Sequence, residues 1–153
     1  QAKTLFPYTT LFRSVGQDNV HLHDRRLPVA KYKEYAVGGY PTLKLGRIIS
    51  ELGLKAGAVS TGNSFGCNEA ELKSLIDART NLVEMEAAAI AWAAWEKKVP
   101  FIPVKGITDL IDVDHSLEHQ FNTNFRDVSG RVAEKVFELI SRMGGKTLEE
   151  LGE

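Results

Sequence analysis

The sequence predicts an α/β fold: a mostly parallel central sheet flanked by helices. Two observations carry this. Short apolar runs alternate along the chain with segments of helical periodicity, the pattern of strand–helix–strand units covered on both faces. The stretch from Val83 to Asp114 also contains two apolar strands that each end in acid. One reads Val83-Glu84-Met85-Glu86, the other Phe101-Ile102-Pro103-Val104-Lys105-Gly106-Ile107-Thr108-Asp109. Open α/β sheets bind ligands outside the carboxyl ends of their strands, so Glu84, Glu86 and Asp109 are expected beside one crevice. Several carboxylates there suit a neutral, hydroxyl-rich ligand better than a phosphate.

Val20 to Asp24 is a short strand candidate. Arg25 to Pro41 reads as loop, with Pro28, Gly38-Gly39 and Pro41 as breakers. Thr42 to Leu52 places Leu45, Ile48, Ile49 and Leu52 at helical spacing and stops at Gly53. Ala56 to Thr61 is a short buried strand. Gly62 to Cys67 is a small-residue loop around Phe65. Asn68, with Glu71 three residues on, opens a helix through Arg79. Leu82 to Glu86 is a strand, Ala87 to Lys98 an alanine-rich helix, and Phe101 to Ile107 the next strand. Pro103 breaks a rule there, because proline cannot donate to a ladder; that strand is expected to be irregular or to pair on one side only. Asp114 to Glu118 introduces a long helix. Its apolar stripe is Phe121, Phe125, Val128, Val132, Val136, Leu139 and Met143, closed by Gly144-Gly145.

Composition excludes several classes. Hydrophobic residues at 43% and charged residues at 25% are ordinary for a globular domain. Nineteen basic and twenty acidic residues nearly cancel, so no electrostatic footprint for nucleic acid is present. No apolar run approaches the ~20 residues that span a bilayer, so no membrane partner is expected. Cys67 is the one cysteine, which rules out a disulfide framework and makes a cytoplasmic location the expectation.

The chemistry-bearing residues each have a plain structural alternative. Glu84 and Glu86 fit an acid-enriched helix N-terminus favoured by the macrodipole. If the strand persists they point the same way, and one can face a ligand while the other binds backbone. Asp109 fits an N-cap or turn. Asp112 and Asp114 lack EF-hand spacing. His21/His23 and His115/His119 lack a third ligand, so hydrogen-bonded or solvated imidazoles are expected and no metal. Trp92 and Trp95 read as core or subunit-interface anchors. No dinucleotide fingerprint, P-loop or nucleophile elbow is present.

Thr4 to Ser14 resembles the in-frame translation of a synthetic sequencing adapter, so residues 1–14 are set aside from the fold. The remainder, 15–151, resembles the 5′-methylthioadenosine/S-adenosylhomocysteine nucleosidases of the purine nucleoside phosphorylase superfamily. The resemblance rests on Val83-Glu84-Met85-Glu86-Ala87-Ala88-Ala89, Val99-Pro100-Phe101 and Val104-Lys105-Gly106-Ile107-Thr108-Asp109. Ser60-Thr61-Gly62-Asn63-Ser64-Phe65, His23-Asp24-Arg25-Arg26 and the closing Gly145 to Leu151 also fit.

That resemblance implies a nucleoside phosphorylase-like three-layer sandwich without its first strands. It implies hydrolysis of the N-glycosidic bond of a thio-substituted adenosine, with no cofactor and a small purine nucleoside as partner. Asp109 would match the general acid at purine N7, and Glu86 the carboxylate on the ribose hydroxyls, with Glu84 beside it. Met85 would line the ribose, and Lys105 would stand where relatives often carry Arg. Phe65 would stack on adenine, the Gly66 backbone would meet the adenine edge, and Phe121 would close over the 5′ substituent. Tyr32, Tyr35 and Pro41 would reach a partner's site, since family members are usually dimers. The family's water-activating glutamate lies upstream of Val15, so the chain as written is expected to be inactive. A purine nucleoside phosphorylase, another superfamily nucleosidase and a non-catalytic purine-binding module are the alternatives.

Overall fold

The computed structural model describes residues 14–32, 36–111 and 116–152. They form two compact units. The first comprises Gly16–Leu43 and Gly57–Pro103. The second takes in Lys44–Ala56 and Val104–Glu153, with Ser14 and Val15 as its other described residues.

Four strands run in the order β2-β1-β3-β4: β1 (Ser14–Leu22), β2 (Gly38–Pro41), β3 (Lys55–Thr61) and β4 (Leu82–Glu84). The first unit holds β2, β4, β1 from Gly16 on and β3 from Gly57 on. Strands β3 and β4 are parallel, with Val59 opposite Leu82 and Thr61 opposite Glu84. They are joined through helix α2 (Glu69–Asp77), the crossover that a parallel pair requires. The Asn68/Glu71 capping box is present in full. Strand β2 runs antiparallel to β1, and the register slips between Val20 and His21. Gly39, at φ 113°, is the extra residue there. The bulge explains why Gly38-Gly39, read as loop breakers, belong to a strand. The ladder buries Val20, Val59 and Leu82 almost completely.

Helix α3 (Ala87–Glu96) packs its small face inward, burying Ala87, Ala88 and Ala91. Its larger side chains point elsewhere. Trp92 is 42% and Trp95 54% exposed, so neither is a core anchor of this unit. Trp95 sits tilted against Tyr40 of β2, ring centroids 6.2 Å apart. Arg79 and Lys98, both at φ 54°, lie just beyond the ends of α2 and α3 in the conformation usually taken there by glycine.

The second unit carries α1 (Gly46–Glu51), β5 (Val104–Lys105), α4 (Leu117–Met143) and α5 (Leu148–Gly152). The periodicity from Thr42 suggested a longer first helix. Leu45, Ile48, Ile49, Leu52 and Leu54 are all buried, but only part of that run is helical. The strand expected over Phe101–Ile107 shrinks to Val104–Lys105, which pairs antiparallel with Val15 and Ser14. Ladder pairing starts immediately after buried Pro103, which has no N–H to give.

Helix α4 is capped by Ser116, whose Oγ accepts the His119 N–H at 3.1 Å, and ends at Gly144. It buries Val128 and Leu139. Gly106 fits closely against it: a Cβ at that position would lie 2.2 Å from Val128 Cγ1 and 2.6 Å from Val132 Cγ2. Helix α5 was not foreseen, although Thr147 and Glu150 form the reciprocal pair of a capping box, and Leu151 anchors it. Of the segment read as adapter-derived, only Ser14 lies among the described residues. Tyr35, Asp112, Asp114 and His115 lie outside them. No described helix is long and apolar enough to cross a membrane.

Candidate functional site

In the first unit the carboxyl ends of three strands are stitched side by side. The His23 N–H donates to the Thr61 carbonyl at 3.2 Å, and the Gly62 N–H donates to the Glu84 carbonyl at 2.9 Å. The loops leaving β1, β3 and β4 therefore share one rim, the place where open α/β sheets bind ligands.

At β4 the strand stops at Glu84, and the two acids separate. Glu84 turns onto the start of α3. Its Oε2 accepts the N–H of Glu86 at 2.9 Å and of Ala87 at 2.8 Å. Its Oε1 accepts the Thr61 hydroxyl. Thr61 Oγ in turn accepts the buried Ala88 N–H at 2.9 Å. Glu84 and Thr61 thus satisfy the orphan donors of the helix start and place negative charge at its positive end. Glu86 occupies the N-cap position, yet its side chain makes no capping bond and is exposed. Met85, between them, is 45% exposed. The expectation that both acids point one way fails because the strand ends before Met85. Glu84 is the one that binds backbone.

At β3 the loop from Gly62 to Cys67 carries Phe65, 56% exposed, and Gly66 at φ 92°. Asp24, at the end of β1, holds this loop. Its Oδ2 accepts both the Asn63 N–H at 2.5 Å and the Asn63 side-chain amide at 2.9 Å. Burial works against ionisation of Asp24. The Asn63 hydrogen bonds and nearby His23 outweigh it and hold the carboxyl below the usual carboxylate range. His23 Nδ1 lies 3.0 Å from Ser60 Oγ. His21 Nε2 lies 3.1 Å from the hydroxyl of buried Thr80, and burial, then His23, lower its pKa. Arg25 sits 6.0 Å from the centre of the Trp92 ring. Among the described residues no group of three His, Cys, Asp or Glu side chains could hold a metal ion.

Lys105, Asp109 and Phe121 belong to the second unit. Lys105 is on β5 and partly buried. Asp109 Oδ1 accepts the Thr108 hydroxyl at 2.6 Å. Its segment is stapled to α4 at two points. Asn124 donates to the Thr108 carbonyl at 2.7 Å, and the Gln120 side-chain amide exchanges hydrogen bonds of 3.0 and 3.2 Å with the Leu110 backbone. Phe121 lies between these two staples in sequence, with its ring centroid 5.1 Å from that of Phe125.

Sequence reasoning did not single out Thr61, Asp24, Asn63, Gln120 or Asn124 as site formers. The signals were faint: polar residues just past strand ends, and a polar pair at i, i+4 beside an apolar helix stripe.

Comparison with known proteins places this arrangement in a family. Residues 30–143 match the model of the phosphorylase superfamily, and the chain belongs to that superfamily. It is 35% identical over 132 residues to the 5′-methylthioadenosine/S-adenosylhomocysteine nucleosidase of Arabidopsis thaliana, covering 86% of this chain and 52% of that protein. The chain spans about half the length of the curated relatives it matches. Among solved structures it is similar to the 5′-methylthioadenosine nucleosidase of Arabidopsis thaliana in apo form. That likeness has a TM-score of 0.85 at 28% identity and covers 97% of this chain and 58% of the other. A structure described as the MTA/SAH nucleosidase gives a TM-score of 0.84 at 33% identity, covering 91% and 57%.

Proposed function

We propose that this chain belongs to an enzyme that hydrolyses the N-glycosidic bond of 5′-methylthioadenosine, releasing adenine and a thioribose. S-adenosylhomocysteine is a second candidate substrate. The observation that carries this reading is the division between the two rim acids. Glu84 is consumed in capping α3, while Glu86 stands exposed at the N-cap position. The 35% identity to a protein named for this activity supports it.

In this reading Phe65 stacks on the purine, and the Gly66 backbone meets the base edge. Glu86 accepts the ribose hydroxyls, Met85 packs on the sugar, and Lys105 lies near it. Glu84 acts through the backbone, fixing where Glu86 stands. Asp109 protonates N7. That makes adenine a better leaving group as the ribose gains oxocarbenium character, the work of a positioned general acid near neutral pH. Phe121 covers the 5′ substituent. The reaction suits methionine salvage in the cytoplasm. The protein is proposed to act as a homodimer, with Tyr32, Tyr35 and Pro41 near the partner's site. The exposed apolar side chains Ile90, Trp92, Trp95 and Val99 are consistent with a subunit contact.

The test is adenine release from 5′-methylthioadenosine with and without phosphate, on the protein of the complete reading frame and on the 153-residue chain. Phosphate-independent release, abolished by Asp109→Asn and reduced by Glu86→Gln, is the expected result for the complete protein. A requirement for phosphate makes the protein a phosphorylase. No release under either condition leaves a purine-binding module.

A further inference from the structure

We propose that Asp24 is a positioning residue: clamped on Asn63, its carboxylate sets the conformation of the loop after β3 and thereby that loop's affinity for a purine base. The identity of the ligand rests on the nucleosidase reading above; the clamp itself does not.

Three observations converge on this residue. Both donors of Asn63, backbone and side chain, go to the same Asp24 oxygen, at 2.5 and 2.9 Å. The other oxygen, Oδ1, is buried and has no hydrogen-bond partner among the described residues. Asp24 thus spends its hydrogen bonding on Asn63 and acts on a ligand through that residue. The neighbouring loop residue is fixed as well. A Cβ at Gly62 would fall 2.3 Å from His23 Nε2, so a larger residue there would have to displace the His23 ring. The His23 ring is itself hydrogen-bonded to Ser60.

The two residues that begin the loop are therefore fixed by the two residues that follow β1. The far end is fixed by Asn68, whose side chain accepts the Glu71 N–H and whose own N–H goes to Glu71. Residues 64–67 are strung between these anchors, and they include exposed Phe65 and Gly66. A loop already held in place loses less conformational freedom when a base stacks on it, so the clamp appears in the binding constant. Asp24 is held as an anion at neutral pH, and hydrogen bonds to a charged group are the stronger kind.

Two measurements on the 153-residue chain test the proposal: amide hydrogen exchange and calorimetric titration with adenine. In Asp24→Ala the amides of residues 63–67 should lose protection while those of β3 and β4 keep theirs. The adenine Kd should rise about tenfold in Asp24→Ala, the scale of a lost hydrogen bond to a charged group, and by less in Asn63→Ala, whose backbone N–H still reaches Asp24. The double variant should bind no more weakly than Asp24→Ala, because Asn63→Ala removes only part of the clamp that Asp24→Ala removes whole. Asp24→Asn, which keeps one acceptor oxygen, should fall between. Unchanged loop protection, an unchanged Kd or additive losses would each overturn the proposal. If the wild-type chain binds no adenine, the exchange result alone decides whether Asp24 positions the loop, and the nucleosidase reading is judged by the adenine-release assay on the complete protein. Should Asp24→Ala not fold, Asn63→Ala decides the same question, since it removes only one exposed amide group.

Discussion

Replacing Thr61 with valine removes one hydroxyl and leaves the side chain's shape intact. Thr61 is 5% exposed, so the substitution opens no large cavity and isolates the hydrogen bonds. Two are lost. The Ala88 N–H, at the second position of α3, loses its acceptor in a buried setting. Glu84 loses a donor to its carboxylate. An unsatisfied buried donor costs about 1–3 kcal/mol, and a hydrogen bond to a charged group contributes about 1.5–3 kcal/mol. The two losses share one network and do not add fully, so about 2–4 kcal/mol is expected. Against the roughly 5–15 kcal/mol that keeps a domain folded, this is a large fraction. Urea denaturation of wild type, Thr61→Val and Thr61→Ser measures it. Serine keeps the hydroxyl and loses a buried methyl, a change of about 1 kcal/mol. If valine costs no more than serine, the hydroxyl does not hold the start of α3 and the reasoning fails. Combining Thr61→Val with Glu84→Gln should cost less than the sum of the two.

Three further outcomes follow from the same geometry. Gly106→Ala drives a methyl into Val128 and Val132 and should destabilise by about 1–3 kcal/mol, with partial rescue by Val128→Ala, read from urea midpoints. His21 has a folded-state pKa below its unfolded value of 6.5, so the folded state binds fewer protons. Its contribution to stability is complete above pH 6.5 and is lost as pH falls through the lowered value; His21→Asn should flatten melting temperature against pH in that window. Asn68→Ala removes the side-chain acceptor of the Glu71 N–H, leaves its own N–H on Glu71 Oε2, and should cost about 1 kcal/mol, checked by the same denaturation series.

What the sequence disclosed was local. The Asn68/Glu71 box and the apolar period of α4 each involve residues within a few positions of one another, and both appear in the fold. Errors arose where a distant segment overrode a local pattern. The helical spacing that begins at Thr42 is interrupted because the Leu43 N–H is bonded to the Phe101 carbonyl, 2.7 Å away, outside any helix. Gly38-Gly39 look like breakers until β1 supplies a partner strand and Gly39 becomes a bulge.

The candidate site divides along the same line. Glu84-Met85-Glu86 could be marked from composition alone, but the roles of its acids could not. Which acid caps α3 is decided by Thr61, 23 positions before Glu84. Asp24 meets Asn63 across 39 positions. A single side chain reaching that far leaves no period to detect. It leaves only a residue type, a carboxylate or an amide just past a strand end, and such residues are common in turns that bind nothing. They become informative in the fold because neighbouring strands bring their ends together. The His23–Thr61 and Gly62–Glu84 backbone bonds bring three such ends to one rim. In the first unit, the strand ladder therefore converts three unremarkable loop sequences into one arrangement of Asp24, Thr61 and Glu84. Each of the three has side-chain oxygens engaged by hydrogen bonds from its neighbours, while Phe65, Met85 and Glu86 stand exposed beside them.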